Sequence, residues 1–184
     1  PMDRFIGSWW SGDELDTKPA GIKAKGYRAG AFHAPGAFAD VHKDILKYTY
    51  DGNLALAKEH NYGDVLWSRG VFNAMLIAEG IRNAILEFGG NITGEEMRWG
   101  LEHINLTDER LEKLGAKGFG MPFKVTCSDH EGNGPVLFQE WDGKKWVIVS
   151  DWVEPMREIV RPMLEEVAAI EARKWNYRMR DDCT

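Results

Sequence analysis

Val136-Leu137-Phe138-Gln139-Glu140-Trp141-Asp142-Gly143-Lys144-Lys145-Trp146-Val147-Ile148-Val149 sets two alternating apolar–polar runs about an Asp-Gly pair, the pattern of a β-hairpin with one buried face. Phe123-Lys124-Val125-Thr126 alternates in the same way just upstream. Before them the period changes. From Ser68 to Glu87, and on to Phe88, the residues Phe72, Met75, Leu76, Ala78, Ile81, Ile85 and Phe88 recur at steps of three and four, so this segment is expected as a long helix with one apolar face. Gly89-Gly90 ends it. Strands on both sides of helices indicate an α/β architecture.

The remaining elements follow from local signals. Arg4 to Gly12 reads as a short strand running into a turn, and Asp13 or Ser11 caps a helical turn that Pro19 should break. Tyr27 to His33 is a second strand, stopped by Ala34-Pro35-Gly36. Ala37 to Tyr50 carries Val41, Ile45, Leu46 and Thr49 on one helical face, Asp51-Gly52-Asn53 ends it, and Leu54 to His60 is a further helical piece. Thr93 with Glu96 makes a capping box for a helix through Ile104. Leu106 to Leu114 is a short helix with Thr107 and Arg110 at the capping offsets, stopped at Gly115. The chain closes with Glu154 to Trp175, whose apolar face is Met156, Ile159, Val160, Met163, Leu164, Val167 and Ile170, and in which Pro162 should kink the helix or start its second piece.

Composition excludes several classes. Twenty-three basic and 29 acidic residues give a net charge of −6, which is no footprint for nucleic acid or for an anionic membrane. The densest basic stretch, Arg173 to Arg180, is ended by Asp181 and Asp182 and reads as a solvated helix end. No apolar run approaches the ~18 residues of a membrane span, and the first residues do not have the pattern of a signal peptide. Neither a nucleophile elbow nor a dinucleotide fingerprint, P-loop, HExxH or EF-hand is present. The five histidines fall at no ligand spacing, and Asp129-His130 is expected as a turn rather than as an acid–base pair. No cofactor and no metal is expected, and the chain reads as a binding module rather than as an enzyme. Cys127 and Cys183 are either two free thiols or, in an exported protein, one long-range disulfide.

What remains is aromatic and polar groups at element ends: Trp9, Trp10 and Ser11 where the first strand gives way to its turn, and Trp67, Ser68, Arg69 and Phe72 at the start of the long helix. In open α/β sheets, ligands sit at the carboxyl ends of strands and near helix N-termini. Packing under a loop accounts for Trp9 and Trp10 as well as ligand contact does, and a surface ion pair accounts for Arg69.

Three stretches carry a resemblance to a known family. They are Ala31-Phe32-His33-Ala34-Pro35-Gly36; Arg69-Gly70-Val71-Phe72-Asn73-Ala74-Met75 leading to Glu79-Gly80-Ile81-Arg82; and Phe123-Lys124-Val125-Thr126-Cys127-Ser128-Asp129-His130-Glu131-Gly132 with Gln139 to Trp146 and Ser150-Asp151-Trp152. Together they resemble the later half of type I periplasmic solute-binding proteins of ABC importers, the branched-chain-amino-acid transporter type. The resemblance implies parts of two α/β lobes joined by hinge crossovers near His33 and Asp129. Residues 1–34 and 136–184 would belong to the second lobe and residues 35–135 to the first, while a signal peptide and the first crossover would precede Pro1. It implies a periplasmic location and a small-molecule solute held between the lobes. The implied partners are an ABC permease in the membrane and either the N-terminal half or a second copy of the chain; none is a nucleic acid. It also implies a cysteine in a comparable C-terminal tail. A ligand-sensing or interaction module of the same fold, without transport, is the alternative. Ligand contacts are expected at Trp9, Trp10, Ser11, Trp67, Arg69 and Phe72. Trp9 stands where amino-acid binders of this family place an acidic residue, so the ring faces and a bidentate Arg69 point instead to an aromatic or other apolar carboxylate.

Overall fold

In the computed structural model, which describes residues 2–178 and Cys183, two sheets and seven α-helices are assigned among the described residues. The larger sheet has the order β1 (Ile6–Gly7), β2 (Arg28–Ala31), β5 (Leu137–Trp141), β6 (Trp146–Ile148); β3 (Asn105–Leu106) and β4 (Phe123–Lys124) form a separate antiparallel pair. β1 and β2 run parallel, and β5 joins β2 and β6 antiparallel, so the sheet is mixed. The expected hairpin is present, with Trp141 opposite Trp146. Its loop is organised by Asp142, whose Oδ1 accepts from the backbone N–H groups of Lys144 and Lys145, while Gly143 takes φ = 103°, a conformation open to glycine.

The helices are α1 (Glu14–Thr17), α2 (Asp40–Thr49), α3 (Leu54–Glu59), α4 (Val65–Phe88), α5 (Gly94–Glu102), α6 (Asp108–Lys113) and α7 (Arg157–Trp175). Asp13 caps α1, Asn53 caps α3, Thr93 and Glu96 form the reciprocal box at α5, and Thr107 accepts from Arg110 N at α6. The helical turn α1 ends before Pro19, as expected, and Pro19 opens a 3-10 stretch, Lys18–Ala24, where its missing N–H is one no helix start could have paired; non-helical backbone at Gly21 interrupts that stretch. One expectation changes. Leu106 pairs as a strand with Phe123 before α6 begins. α7 is assigned as one helix with Pro162 inside it. The charge run at the C-terminus extends to residues 179–182, outside the described residues.

Apolar packing divides into three clusters. The largest gathers Phe72 and Met75 of α4 with Ile104, Leu106, Leu111 and Phe119. A second lies on the sheet, where Ala29, Trp141 and Trp146 meet Val65 at the start of α4. The third joins Ala31, Ala34 and Leu137 with Trp9 and Trp152. α4 and α5 cross closely because both contribute glycine: a Cβ on Gly100 would lie 2.1 Å from the Gly80 carbonyl oxygen, and one on Gly80 would lie 2.6 Å from Leu101. Between α4 and α6, buried Glu79 receives both guanidinium arms of Arg110.

The periodicity of α4 and α7 misleads on burial. Ile81, Ile85 and Phe88, all on the expected core stripe, are exposed, whereas Ser68, Arg69 and Glu79 are buried. In α7 the entire expected apolar face is exposed, and the helix is held through its polar side. Arg157 and Arg161 both pair with Asp129 and also donate to the carbonyls of Gly132 and Ser128. A disulfide between Cys127 and Cys183, with Cα atoms 5.2 Å apart, fastens the tail to that same turn.

Two outcomes follow from this packing. Gly100→Ala gains about 1 kcal/mol of helix propensity but must push α4 from α5, an overpacking cost of about 1–3 kcal/mol. With backbone as the obstacle, the overlap wins, and chemical denaturation will show a net loss. Reducing the disulfide releases a cross-link between residues 56 apart in sequence, worth about 4 kcal/mol in the chain-entropy account. Denaturation midpoints with and without reductant, on wild type and on Cys183→Ser, will show the loss in wild type and no reductant effect in the variant.

Candidate functional site

The turn after β1 is built on absent side chains. A Cβ at Gly7 would lie 2.0 Å from the Tyr27 hydroxyl, and one at Gly12 would lie 2.5 Å from Ala29 Cβ. The chain from Ser8 to Ser11 is therefore drawn close to the sheet. Ser11 Oγ donates to Ser8 O and accepts from Tyr27 Oη. This lifts Trp9 and Trp10 toward α4, their rings 5.3 Å apart. Trp9 is half-buried, edge-on to Phe32 at 5.0 Å, and Trp10 is 72% exposed.

Arg69, on the first turns of α4, sits beneath this turn rather than on the surface. It is 3% exposed, donates from Nη2 to the Trp9 carbonyl at 2.5 Å, and lies 4.3 Å from the Trp9 ring centroid and 5.4 Å from that of Trp10. Burial works against its charge, and Asp13 and Asp16 work for it. A guanidinium suits the place because it stacks on rings and donates in its own plane at once.

Trp9, Phe32 and Phe72 wall a cavity of about 200 Å³, with Leu76, Met121 and Phe123 completing its apolar lining and Asn73 and Glu131 its polar edge. Of the sequence-derived candidates, Trp9 and Phe72 line this cavity, Arg69 and Trp10 stack behind Trp9, and Ser11 braces the turn. Trp67 turns elsewhere, packing on His42 and Tyr62. Phe32 follows β2, while Met121 and Phe123 lie two residues apart at the start of β4, so no sequence signal brought these two segments together.

Beside the cavity lies a buried histidine pair that sequence reasoning passed over. His33 and His42 are fully buried and both pack on Phe119, at 5.2 and 4.5 Å. His33 Nδ1 lies 3.1 Å from Ala34 O, so its proton belongs there and Nε2 is an acceptor. His42 Nδ1 accepts from Ala39 N at the start of α2, so its proton is on Nε2. Both Nε2 atoms, Ser68 Oγ and Arg69 Nε lack hydrogen-bond partners among the described residues. Burial lowers both pKa values to about 4, and for His33 the nearby Arg69 and His42 add to it. Asp129 and His130 diverge, one to the α7 arginines and the other to Glu102. Among the described residues no cluster of three or more His, Cys, Asp or Glu could hold a metal, and no helix is long and apolar enough to cross a membrane.

Comparison with known proteins yields two solved structures. One, described as the crystal structure of an ABC transporter permease from the Pseudomonas fluorescens group, is 38% identical with a TM-score of 0.90, covering 99% of this chain and 44% of its own. The other, a branched chain amino acid ABC transporter from Thermus thermophilus with bound valine, is 20% identical with a TM-score of 0.62, covering 84% of this chain and 40% of its own. No protein-family model and no curated protein matches. The chain therefore spans less than half the length of either structure, and has a mixed α/β fold related to that of ABC-transporter-associated proteins.

Neutral buried histidines make the fold acid-sensitive. The folded pKa values near 4 lie below the 6.5 of a free histidine, so between these pH values the unfolded chain binds protons that the folded one excludes. Stability is full above pH 6.5 and falls as the pH drops toward 4, by up to about 1.4 kcal/mol per pH unit for each histidine. Urea midpoints between pH 7 and 4.5 will fall in wild type and flatten in the His33→Gln, His42→Gln double variant.

Proposed function

We propose that this chain forms the later part of a type I solute-binding protein of an ABC importer. Residues 1–34 and 136–184 contribute to one lobe and residues 35–135 to the other, and the crossovers lie near His33 and Asp129. The aromatic cavity carries this reading. Its walls come from the turn after β1 (Trp9), from both proposed crossovers (Phe32, Pro135) and from α4 (Phe72), so a molecule seated there touches both proposed lobes. The disulfide favours an oxidising compartment, in keeping with a periplasmic location and with delivery to a membrane permease. No step of chemistry is assigned, and the role is binding.

The ligand is a small solute with an aromatic or other apolar body and a carboxylate. Ring faces of Trp9, Phe32 and Phe72 suit the body, and the valine bound by the Thermus protein shows that one protein of this fold takes a small apolar amino acid. Arg69, held behind Trp9, supplies a positive charge beside those walls, and Arg157 and Arg161 pair with Glu131 at the polar edge; together these guanidinium groups suit a ligand carboxylate. Trp10 and Ser11 belong to the same turn, and Trp67 to the opposite side of the helix start.

Isothermal calorimetry with phenylacetate, phenylpyruvate, leucine and valine tests this. Aromatic acids are expected to bind at least tenfold more tightly than the aliphatic amino acids, and Trp9→Ala to lose most of that affinity. Tighter binding of leucine or valine, or aromatic-acid binding untouched by Trp9→Ala, refutes the assignment.

A further inference from the structure

A groove of about 600 Å³ lies where the end of α1, α3 and the β5–β6 turn come together, and it shares no lining residue with the aromatic cavity. Four lysines line it: Lys18 just after α1, Lys58 on α3, and Lys144 and Lys145 in the turn. Two carboxylates, Glu14 and Asp64, line it as well. The groove thus carries an excess of two positive charges on a chain whose net charge is −6. Like charges lining one concave surface focus the field on a ligand of opposite sign.

The four ammonium groups are not equivalent. Lys18 is matched by Asp64 at 2.8 Å, and Glu14 is committed to the Val65 N–H. Lys58 donates one N–H to the Tyr62 carbonyl at 2.9 Å, which leaves two for a ligand. Lys144 and Lys145 have no acceptor for their ammonium groups among the described residues, yet the turn that carries them is fixed. Asp142 Oδ1 accepts from both of their backbone N–H groups, and Asp142 N donates to the Lys145 carbonyl at 3.1 Å. All four cations are lysines. Ammonium groups act as point charges and suit a tetrahedral phosphate, whereas planar bidentate capture of a carboxylate favours arginine. Phe38 and Leu54, each about half exposed, add apolar surface to the same groove.

We propose that this groove is a second binding site, for a phosphate monoester whose phosphate sits among Lys58, Lys144 and Lys145 and whose organic part lies on Phe38 and Leu54. Inorganic phosphate shares the headgroup and is the other source of the same chemistry. The inference goes beyond the solute-binding reading above and does not depend on it.

Titration of the whole chain with phenyl phosphate and with inorganic phosphate, read by phosphorus NMR and by calorimetry, tests this. Saturable binding of phenyl phosphate is expected. Lys144→Gln with Lys145→Gln should weaken it at least tenfold, through loss of two charge-assisted hydrogen bonds. Lys47→Gln with Lys113→Gln removes the same charge from exposed positions outside the groove and should leave the affinity within twofold, which separates a site from general attraction. Trp9→Ala, the variant that probes the aromatic cavity, should leave it within twofold as well, so failure of the solute assignment and failure of this one are told apart. Both lysine pairs are exposed, and their thermal midpoints without ligand should match wild type. Tighter binding of phenyl phosphate than of inorganic phosphate supports the ester, and equal binding overturns the contact with Phe38 and Leu54. Absence of saturable binding, an equal loss in the control pair, or a loss in Trp9→Ala overturns the site.

Discussion

The first turn of α4 is the constraint on which the arrangement depends. It is capped from a distance: Glu14 Oε2 accepts the Val65 N–H at 2.7 Å, and Lys18 pairs with Asp64 at 2.8 Å. One turn later Arg69 bonds the Trp9 carbonyl. The helix thus starts inside the segment that follows β1. Free helix N-termini present four unpaired N–H groups, and here a carboxylate 51 residues away supplies an acceptor for one of them. Burial raises the Glu14 pKa, a cost partly offset by that hydrogen bond and by the partial positive charge of the helix start.

Because α4 is fixed at this end, its polar residues are committed inward. Arg69 goes under the tryptophans, Ser68 is buried next to it, and Glu79, ten residues further on, goes to Arg110. The helix then leaves Ile77, Ile81 and Ile85 on its outer side, beside exposed Asn73, Arg82 and Glu87. The same logic governs α7, where Arg157 and Arg161 commit the polar side to the Asp129 turn and the disulfide holds the tail nearby. Unusual exposure in both helices is therefore a consequence of where their charges are bonded.

Several helix starts were legible because capping is local: Thr93 with Glu96, Thr107 with Arg110 and Asp13 each act within three residues, whereas Asn53, read only as a stop, caps α3, and α4 starts at Val65 rather than Ser68. The β5–β6 hairpin was legible for the same reason, through Asp142 and Gly143. Periodicity showed which face of α4 and α7 is apolar, but no sequence pattern states what lies against that face, and so Ile85 and Val167 read as core. His42 was hidden because its burial depends on Phe119, 77 residues away. The cavity was half legible: Trp9 and Phe72 stand at element ends, whereas Phe32, Met121 and Phe123 converge only through the chain's path. Whether the two cysteines meet was open in the sequence and is closed by the approach of the tail to the 126–129 turn.

The shape of the cavity is set in part by groups that do not touch it. Trp9 could take several rotamers on a free turn. Three neighbours restrict it: Gly7 lets the turn lie against Tyr27, the edge contact with Phe32 fixes the ring's tilt, and Arg69 occupies the space behind. A guanidinium at 4.3 Å resists displacement more than an aliphatic side chain would, because withdrawing the ring also breaks the hydrogen bond to the same residue's carbonyl. Arg69 itself cannot retreat, since Phe72 and the buried histidines pack along the same side of the helix. The wall is therefore rigid in one direction, and any widening of the cavity must come from Phe32 or from the Met121–Phe123 segment opposite.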